Sequence, residues 1–186
     1  MTNDVIMAGF GGQGILLIGK MLAYAGMHEG KEVSWLPSYG PEMRGGTCNC
    51  TVVISDRPVG SPVIQSPRAV VAMNKPSLDK FEPHVRAGGL LLINSSLIDR
   101  GSTRDDVTVL EVPANEIANE LGNPRGANMV ALGAYVGATD AVELEEIEKV
   151  VRETFAAKQK LIDVNLEALR KGYELGRAKR PVEATA

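Results

Sequence analysis

Short apolar runs alternate with helix-like stretches along most of the chain. Residues 5–8, 69–73 and 90–93 are continuous apolar runs, the pattern of strands that are covered on both faces. From about residue 14 to residue 29, apolar residues recur at helical spacing instead. Because strands and helices alternate, the pattern predicts an α/β fold with a doubly wound, mostly parallel sheet and helices on both faces.

Three more strands follow from the same reasoning. They are predicted at 31–36, 47–55 and 107–112. Pro37 is expected to stop the first of them, because proline cannot donate a ladder hydrogen bond. The second contains Cys48 and Cys50, which would point to the same face as small buried residues and are poorly placed to bridge each other.

The second half of the chain is predicted to be mainly helical. Short helices are expected to begin at Pro76 and Pro113. A helix of small residues at 127–138 contains Gly133 and Gly137, which would admit a neighbouring backbone in the core or at a subunit contact. Two amphipathic helices then complete a single domain over residues 1–178, leaving 179–186 as a tail.

Composition excludes several functional classes. The chain has 186 residues, a net charge of −3 and no dense Lys/Arg stripe, which argues against a nucleic-acid surface. The apolar run at 127–138 is too short to span a bilayer, and the N-terminus enters a strand too soon for a signal peptide, so we expect a cytoplasmic protein. Two cysteines and two histidines provide neither an iron–sulfur nor a zinc pattern, so any metal is expected on another chain.

The glycine loop, residues 9–14, lies between the first strand and the first helix in a Rossmann-like βα unit. Gly9 and Gly11 are expected to provide positive φ and close backbone approach, and Gly14 to let the helix pack on the strand. Together with Gly12 and Gln13 they form a candidate cofactor-binding site, because free N–H groups at a helix start attract an anion. The alternative is that these glycines merely permit the turn.

A second candidate loop follows the second predicted strand. Dinucleotide-binding folds have an acidic residue at the end of this strand, which binds a ribose hydroxyl, and this chain has none there. It is proposed to contact a substrate through seven residues: Ser38, Tyr39, Gly40, Glu42, Arg44, Gly45 and Gly46. Arg44 is suited to grip a phosphate or carboxylate with both ends of its guanidinium, or else to pair with Glu42 or a neighbouring subunit. Both loops are expected at the carboxyl edge of the sheet, where they would line one cleft.

No catalytic residue is proposed from the sequence. The chain has no Gly-x-Ser-x-Gly elbow, and Ile15 and Leu16 follow Gly14 where a Walker loop has Lys and Ser or Thr. His28 and His84 are interpreted as surface or capping residues. Binding is therefore better supported than bond chemistry.

Three motifs in register give the chain a family resemblance. Residues 9–14, residues 38–46 and residues 123–129, the last containing Asn128, resemble the gamma subunit of 2-oxoacid:ferredoxin oxidoreductases over nearly the whole chain. The Met-Arg-Gly-Gly form of residues 43–46, with Cys50 soon after, is more similar to the 2-oxoglutarate type than to the pyruvate type. The resemblance adds Asn128 to the candidate substrate or coenzyme A residues.

The resemblance implies a non-autonomous subunit of an oxidoreductase complex. Thiamine-binding alpha and beta subunits would hold thiamine diphosphate, a ferredoxin-like subunit would hold iron–sulfur clusters, and ferredoxin would accept the electrons. Coenzyme A would take the acyl group, with this domain contributing to its side of the site. Two alternatives stay open: a free-standing nucleotide-binding regulatory module, which would be a stable monomer, and a purely structural subunit whose loops are subunit contacts.

Overall fold

A single six-stranded sheet forms the centre of the computed structural model, which describes residues 2–38 and 47–180. The strand order is β2-β3-β1-β4-β5-β6. The strands are β1 (Thr2–Phe10), β2 (Glu32–Ser38), β3 (Thr47–Ser55), β4 (Ala69–Ala72), β5 (Leu90–Asn94) and β6 (Thr108–Val112).

Helices cover both faces of the sheet, as predicted, but unequally. They are α1 (Ile15–His28), α2 (Lys75–Phe81), α3 (Ala114–Glu120), α4 (Ala127–Thr139), α5 (Leu144–Thr154) and α6 (Gln159–Ala178). Residues of α1 and of α3 to α6 share one apolar core with the sheet, whereas α2 contributes to the smaller core on the opposite face. None of the helices in the described ranges is long and apolar enough to cross a membrane.

The sheet is mixed, with a parallel majority. β1, β4, β5 and β6 are parallel neighbours, whereas β3 runs antiparallel to both β1 and β2. The prediction that Pro37 stops the second strand was wrong, because Pro37 lies within β2 and is paired in register with Cys50. β2 is the edge strand, where a residue without an N–H is tolerated.

Helices α4 and α6 meet along what we call the α4–α6 seam, formed by Gly133, Gly137, Gly172 and Gly176. A Cβ atom at Gly133 would clash with the carbonyl oxygen of Leu169, and one at Gly172 with that of Val130. Each helix therefore lets the backbone of the other approach it. Of the two expectations for Gly133 and Gly137, core packing is the one observed, and their partner glycines on α6 were not anticipated.

Helix α6 ends at Ala178. Residues 181–186 of the predicted tail lie outside the described ranges. The division into a domain and a tail stays a prediction.

Candidate functional site

The glycine loop makes its turn at different residues from those expected. Positive φ angles occur at Gly12 (91°) and Gly14 (73°), not at Gly9 or Gly11. Gly9 still provides close approach, because a Cβ there would lie 2.6 Å from Gln13 Oε1 and 2.8 Å from Ile15 Cδ1. Gly14 packs against the Asn128 side chain rather than against the strand, so the role predicted for Gly14 was wrong.

Gln13 holds the glycine loop onto the sheet. Its Oε1 accepts hydrogen bonds from the Phe10 backbone N–H at 2.6 Å and from Asn74 Nδ2 at 3.5 Å, and its Nε2 donates to the Met73 carbonyl at 3.3 Å. These contacts join the ends of β1 and β4. The Gln13 side chain therefore shapes the loop.

The start of α1 is not capped by a side chain. Gly14 occupies the N-cap position in left-handed geometry, and no side chain accepts a cap hydrogen bond there. The first N–H groups of a helix have no partner within the helix and carry the positive end of its dipole. This arrangement meets the condition that an anion site requires at this position.

Arg125, in the turn before α4, and Asn128, in the first turn of α4, complete the wall of the site. Asn128 is buried, and its Nδ2 lies 3.4 Å from the Gly14 carbonyl oxygen while its Oδ1 accepts a hydrogen bond from the Met129 N–H at 3.0 Å. Arg125 lies in the 3₁₀ turn Pro124–Gly126 and is exposed. Its guanidinium has no hydrogen-bond or ion-pair partner among the residues that the structure describes. Within the described residues, an unpaired guanidinium thus lies next to the glycine loop.

Two adjoining cavities surround Arg125. One, of about 270 Å³, extends from the glycine loop towards Phe155 and Leu161, and the other, of about 360 Å³, extends towards Met73 and Asn115. Both are lined by Gly12, Gln13, Arg125 and Asn128. The site therefore combines one cation with amide groups and an uncapped helix start, a set suited to binding an anion.

Several asparagines at this edge were missed by the sequence reasoning. Asn94 Nδ2 donates to Asn115 Oδ1 at 2.8 Å, and Asn123 Nδ2 donates to Asn165 Oδ1 at 3.0 Å. Asn74 follows β4, and its side chain caps α2 by accepting from the Ser77 N–H at 2.8 Å. Amide residues directly after the apolar strands were the signal that could have revealed this polar edge.

The second candidate loop leaves the sheet at the same edge. Ser38 is paired with Asn49, which is paired in turn with Ala8 near the end of β1. Because β1 and β2 both run antiparallel to β3, their carboxyl ends lie on one side, as expected. Ser38 lines neither cavity, and the remaining predicted residues of this loop lie outside the described ranges: Tyr39, Gly40, Glu42, Arg44, Gly45 and Gly46.

The titratable groups of the described residues do not form a reaction centre. Cys48 and Cys50 are buried and unbridged, and burial raises the pKa of the Cys50 thiol to about 12. His28 is on the outside of α1, within 4 Å of carboxylate oxygens of Glu146 and Glu153. Within the described ranges no cluster of three or more His, Cys, Asp or Glu side chains is placed to hold a metal ion.

The fold and the site define an α/β domain with a mostly parallel sheet and a glycine loop at the start of its first helix. The chain belongs to the pyruvate ferredoxin/flavodoxin oxidoreductase family, whose sequence profile matches residues 4–175. The resemblance to gamma subunits of 2-oxoacid:ferredoxin oxidoreductases is confirmed by its relatives.

Three relatives show how far the likeness extends. The chain is 44% identical over 174 residues to ketoisovalerate oxidoreductase subunit VorA of Methanothermobacter marburgensis, covering 93% of this chain but only 36% of VorA. It is 35% identical over 180 residues to 2-oxoglutarate synthase subunit KorC of Methanocaldococcus jannaschii, covering 95% of each. The keto/oxoacid ferredoxin oxidoreductase gamma subunit of Geobacter sulfurreducens superposes with a TM-score of 0.85 at 30% identity, covering 97% of this chain and 99% of that one.

Proposed function

We propose that this chain is the gamma subunit of a 2-oxoacid:ferredoxin oxidoreductase complex and binds the diphosphate of coenzyme A at the glycine loop. In the reaction, carbon dioxide leaves the 2-oxoacid, the coenzyme A thiol loses its proton, and the acyl group forms a thioester. The electron pair left by the carbon–carbon cleavage passes singly to ferredoxin. Family membership supports the reaction class.

One observation carries the binding role. The uncapped start of α1 and the guanidinium of Arg125, which has no partner among the described residues, line the same cavity. Backbone N–H groups and arginine are the usual partners of phosphate oxygens. Because this cavity holds a cation and amides but no paired nucleophile and base, it is suited to positioning a phosphorylated ligand.

The complex also needs thiamine diphosphate and iron–sulfur clusters, and this chain has neither a Gly-Asp-Gly diphosphate motif nor thiols suited to a cluster. Its two thiols are buried, with the pKa of each raised by burial, so they are poor thiolate ligands. We therefore place these groups on thiamine-binding alpha and beta subunits and on a ferredoxin-like subunit. This chain contributes the coenzyme A side of the site.

Two substrates are candidates for the complex. The Met-Arg-Gly-Gly sequence of residues 43–46 favours 2-oxoglutarate, whereas the 44% identity to a ketoisovalerate oxidoreductase subunit favours a branched-chain 2-oxoacid. The partner subunits are also expected to contribute to this specificity. Steady-state rates of the assembled complex with 2-oxoglutarate, ketoisovalerate and pyruvate decide between them.

The test of the function is reconstitution followed by one substitution. The isolated chain should not reduce ferredoxin with any 2-oxoacid, and the assembled complex should do so only with coenzyme A. Arg125→Lys in that complex should raise the KM for coenzyme A about tenfold, because the ammonium cannot replace two guanidinium contacts. Lys171→Gln, on an exposed part of α6 away from the cavities, is the control. Activity from the isolated chain, or an unchanged KM with Arg125→Lys, contradicts the proposal.

A further inference from the structure

A cavity at the opposite edge of the sheet is lined by polar side chains that the proposed function does not use. It has a volume of about 250 Å³ and lies at the amino ends of β1, β4 and β5, beside the end of α4. We call it the amino-edge cavity, and its polar side chains are those of Asn3, Arg68, Arg86 and Thr139. From Asn3 to Phe10, β1 covers about 23 Å at 3.3 Å per residue, so a ligand in this cavity does not reach the glycine loop.

Main-chain hydrogen bonds hold the two arginines of the cavity on adjacent segments. The Arg86 N–H donates to the Pro67 carbonyl at 2.9 Å, and the Leu90 N–H donates to the Arg68 carbonyl at 2.8 Å. A Cβ at Gly89 would lie 2.6 Å from the Arg68 carbonyl oxygen and 2.7 Å from that of Arg86, so the missing side chain lets both segments approach it. The positions of the arginines are therefore fixed by the backbone and do not depend on pairing of their guanidinium groups.

Positive charge exceeds negative charge in the wall of the cavity. Arg68 Nε lies 3.8 Å from Asp4 Oδ2, whereas the Arg86 guanidinium has no hydrogen-bond or ion-pair partner among the residues that the structure describes. The nearby carboxylate of Asp106 does not compensate, because it is paired with Arg104 at 2.5 Å. Two neighbouring cations thus share one carboxylate, and a bound anion would balance the charge.

Further unused donors lie in the same wall. The carboxamide of Asn3 has no partner among the described residues, and neither has the backbone N–H of Ala87. Thr139 offers no proton, because its hydroxyl already donates to the Tyr135 carbonyl at 2.8 Å. The volume corresponds to about eight water molecules at 30 Å³ each, which suits a small metabolite and not a nucleotide.

We propose that the amino-edge cavity binds a small organic anion that carries at least two carboxylate or phosphate groups. One group binds the guanidinium of Arg86, and the other lies between Arg68 and Asn3. Guanidinium groups bind both kinds of anionic group with paired hydrogen bonds. The proposal is independent of the ligand at the glycine loop. Because the two sites are at opposite edges of the sheet, this anion stabilises the subunit and is not its substrate.

The test is calorimetric titration of the full chain, at low ionic strength, with citrate and separately with phosphoenolpyruvate. Saturable binding of citrate alone identifies a polycarboxylate, and binding of phosphoenolpyruvate alone identifies a phosphorylated acid. Arg86→Gln should weaken the binding about tenfold or more, and Arg86→Lys by a smaller factor because the charge is kept. Arg57→Gln removes an exposed arginine outside the cavity and is the matched control.

A second measurement uses stability in place of heat. The anion that binds should raise the urea midpoint of the natural chain and of Arg57→Gln, but not that of Arg86→Gln, because a ligand stabilises only the folded state that binds it. Asn3→Ala, which changes no charge, should reduce the shift in part. Absence of saturable binding overturns the proposal, and so does binding that Arg86→Gln leaves unchanged. If neither anion binds and Arg86→Gln prevents assembly of the complex, the arginines contact an acidic segment of another subunit, which also overturns it.

Discussion

At the α4–α6 seam, glycines bring one helix backbone against another, whereas in the glycine loop they leave backbone groups at the wall of a cavity. In the seam, the missing side chains of Gly133 and Gly172 are replaced by carbonyl groups of the facing helix. In the loop, Gly12 faces open space and is required instead for its φ of 91°. Glycine is therefore required for close helix packing in one region and for a left-handed backbone in the other. Replacing glycine by alanine should have different effects in the two regions.

The largest effect is expected at the seam. Gly133→Ala places a methyl group on the Leu169 carbonyl, so the helices must separate, and we expect a loss of about 3 kcal/mol in the free energy of unfolding. Urea titration of the full chain measures it. Gly60→Ala is the control, because nothing lies near a Cβ there, and its effect should be within about 0.5 kcal/mol. If the two variants unfold at the same midpoint, the seam is not close-packed.

Arg44→Lys tests whether the second candidate loop shares the ligand of the glycine loop. The substitution keeps the charge but loses the planar fork, which should cost about 1.5–3 kcal/mol of binding if the contact is bidentate. In the assembled complex this appears as a raised KM for coenzyme A or for the 2-oxoacid. Unchanged kinetics for both would remove the ligand role, and loss of assembly would favour a subunit contact.

Gly12→Ala tests whether Gly12 is required for its left-handed backbone conformation in the glycine loop. The added methyl meets nothing within 4 Å, but left-handed φ costs a residue with a Cβ about 1–2 kcal/mol. We expect a modest decrease in stability together with a raised KM for coenzyme A. Gly133→Ala should instead lower stability without acting on a ligand. A Gly12→Ala variant that unfolds as easily as Gly133→Ala would contradict this division.

The smallest effect is expected for the pH dependence of stability at Cys50, which lies against α1. Gly19 lets α1 approach Cys50, whose thiol pKa burial raises to about 12. The folded state then holds a proton that the unfolded chain loses, so stability is complete below about pH 8.5 and falls as pH rises, by at most about 1.4 kcal/mol per pH unit. Urea midpoints at pH 8.5 and 9.5 should decrease more for the natural chain than for Cys50→Ala. Parallel decreases would show that other groups cause the loss.

Much of the fold was accessible from the pattern of residues because the buried strands are short and continuous. The parallel strands β1, β4 and β5 were found in this way, since apolar runs identify strands that are covered on both faces. The antiparallel course of β3 was not, because an apolar pattern marks a strand without giving its direction. The prediction that Pro37 ends the second strand failed for a related reason. A proline is tolerated within β2 because β2 is an edge strand, and strand order cannot be read from the local pattern.

The candidate site was predictable in position but less so in composition. The glycine loop has a local signature, so its place between β1 and α1 could be predicted. The positive φ of Gly12 and Gly14 could not, since six neighbouring residues with four glycines permit several turns. Arg125 depends on a contact between segments more than 100 residues apart along the chain, which only the folded structure brings together.

The α4–α6 seam also has a consequence for the order of folding, because α4 cannot complete its packing before α6 is present. Residues 127–138 of α4 are all buried, and the backbone that faces Gly133 and Gly137 belongs to α6, which follows the other helices and strands of the domain in the sequence. Until α6 has left the ribosome, the face of α4 that carries Gly133 and Gly137 lacks its partner helix, and non-local contacts of this kind form late. Folding of this domain is therefore completed by its last helix, and a nascent chain that stops before residue 159 exposes a surface prone to aggregation.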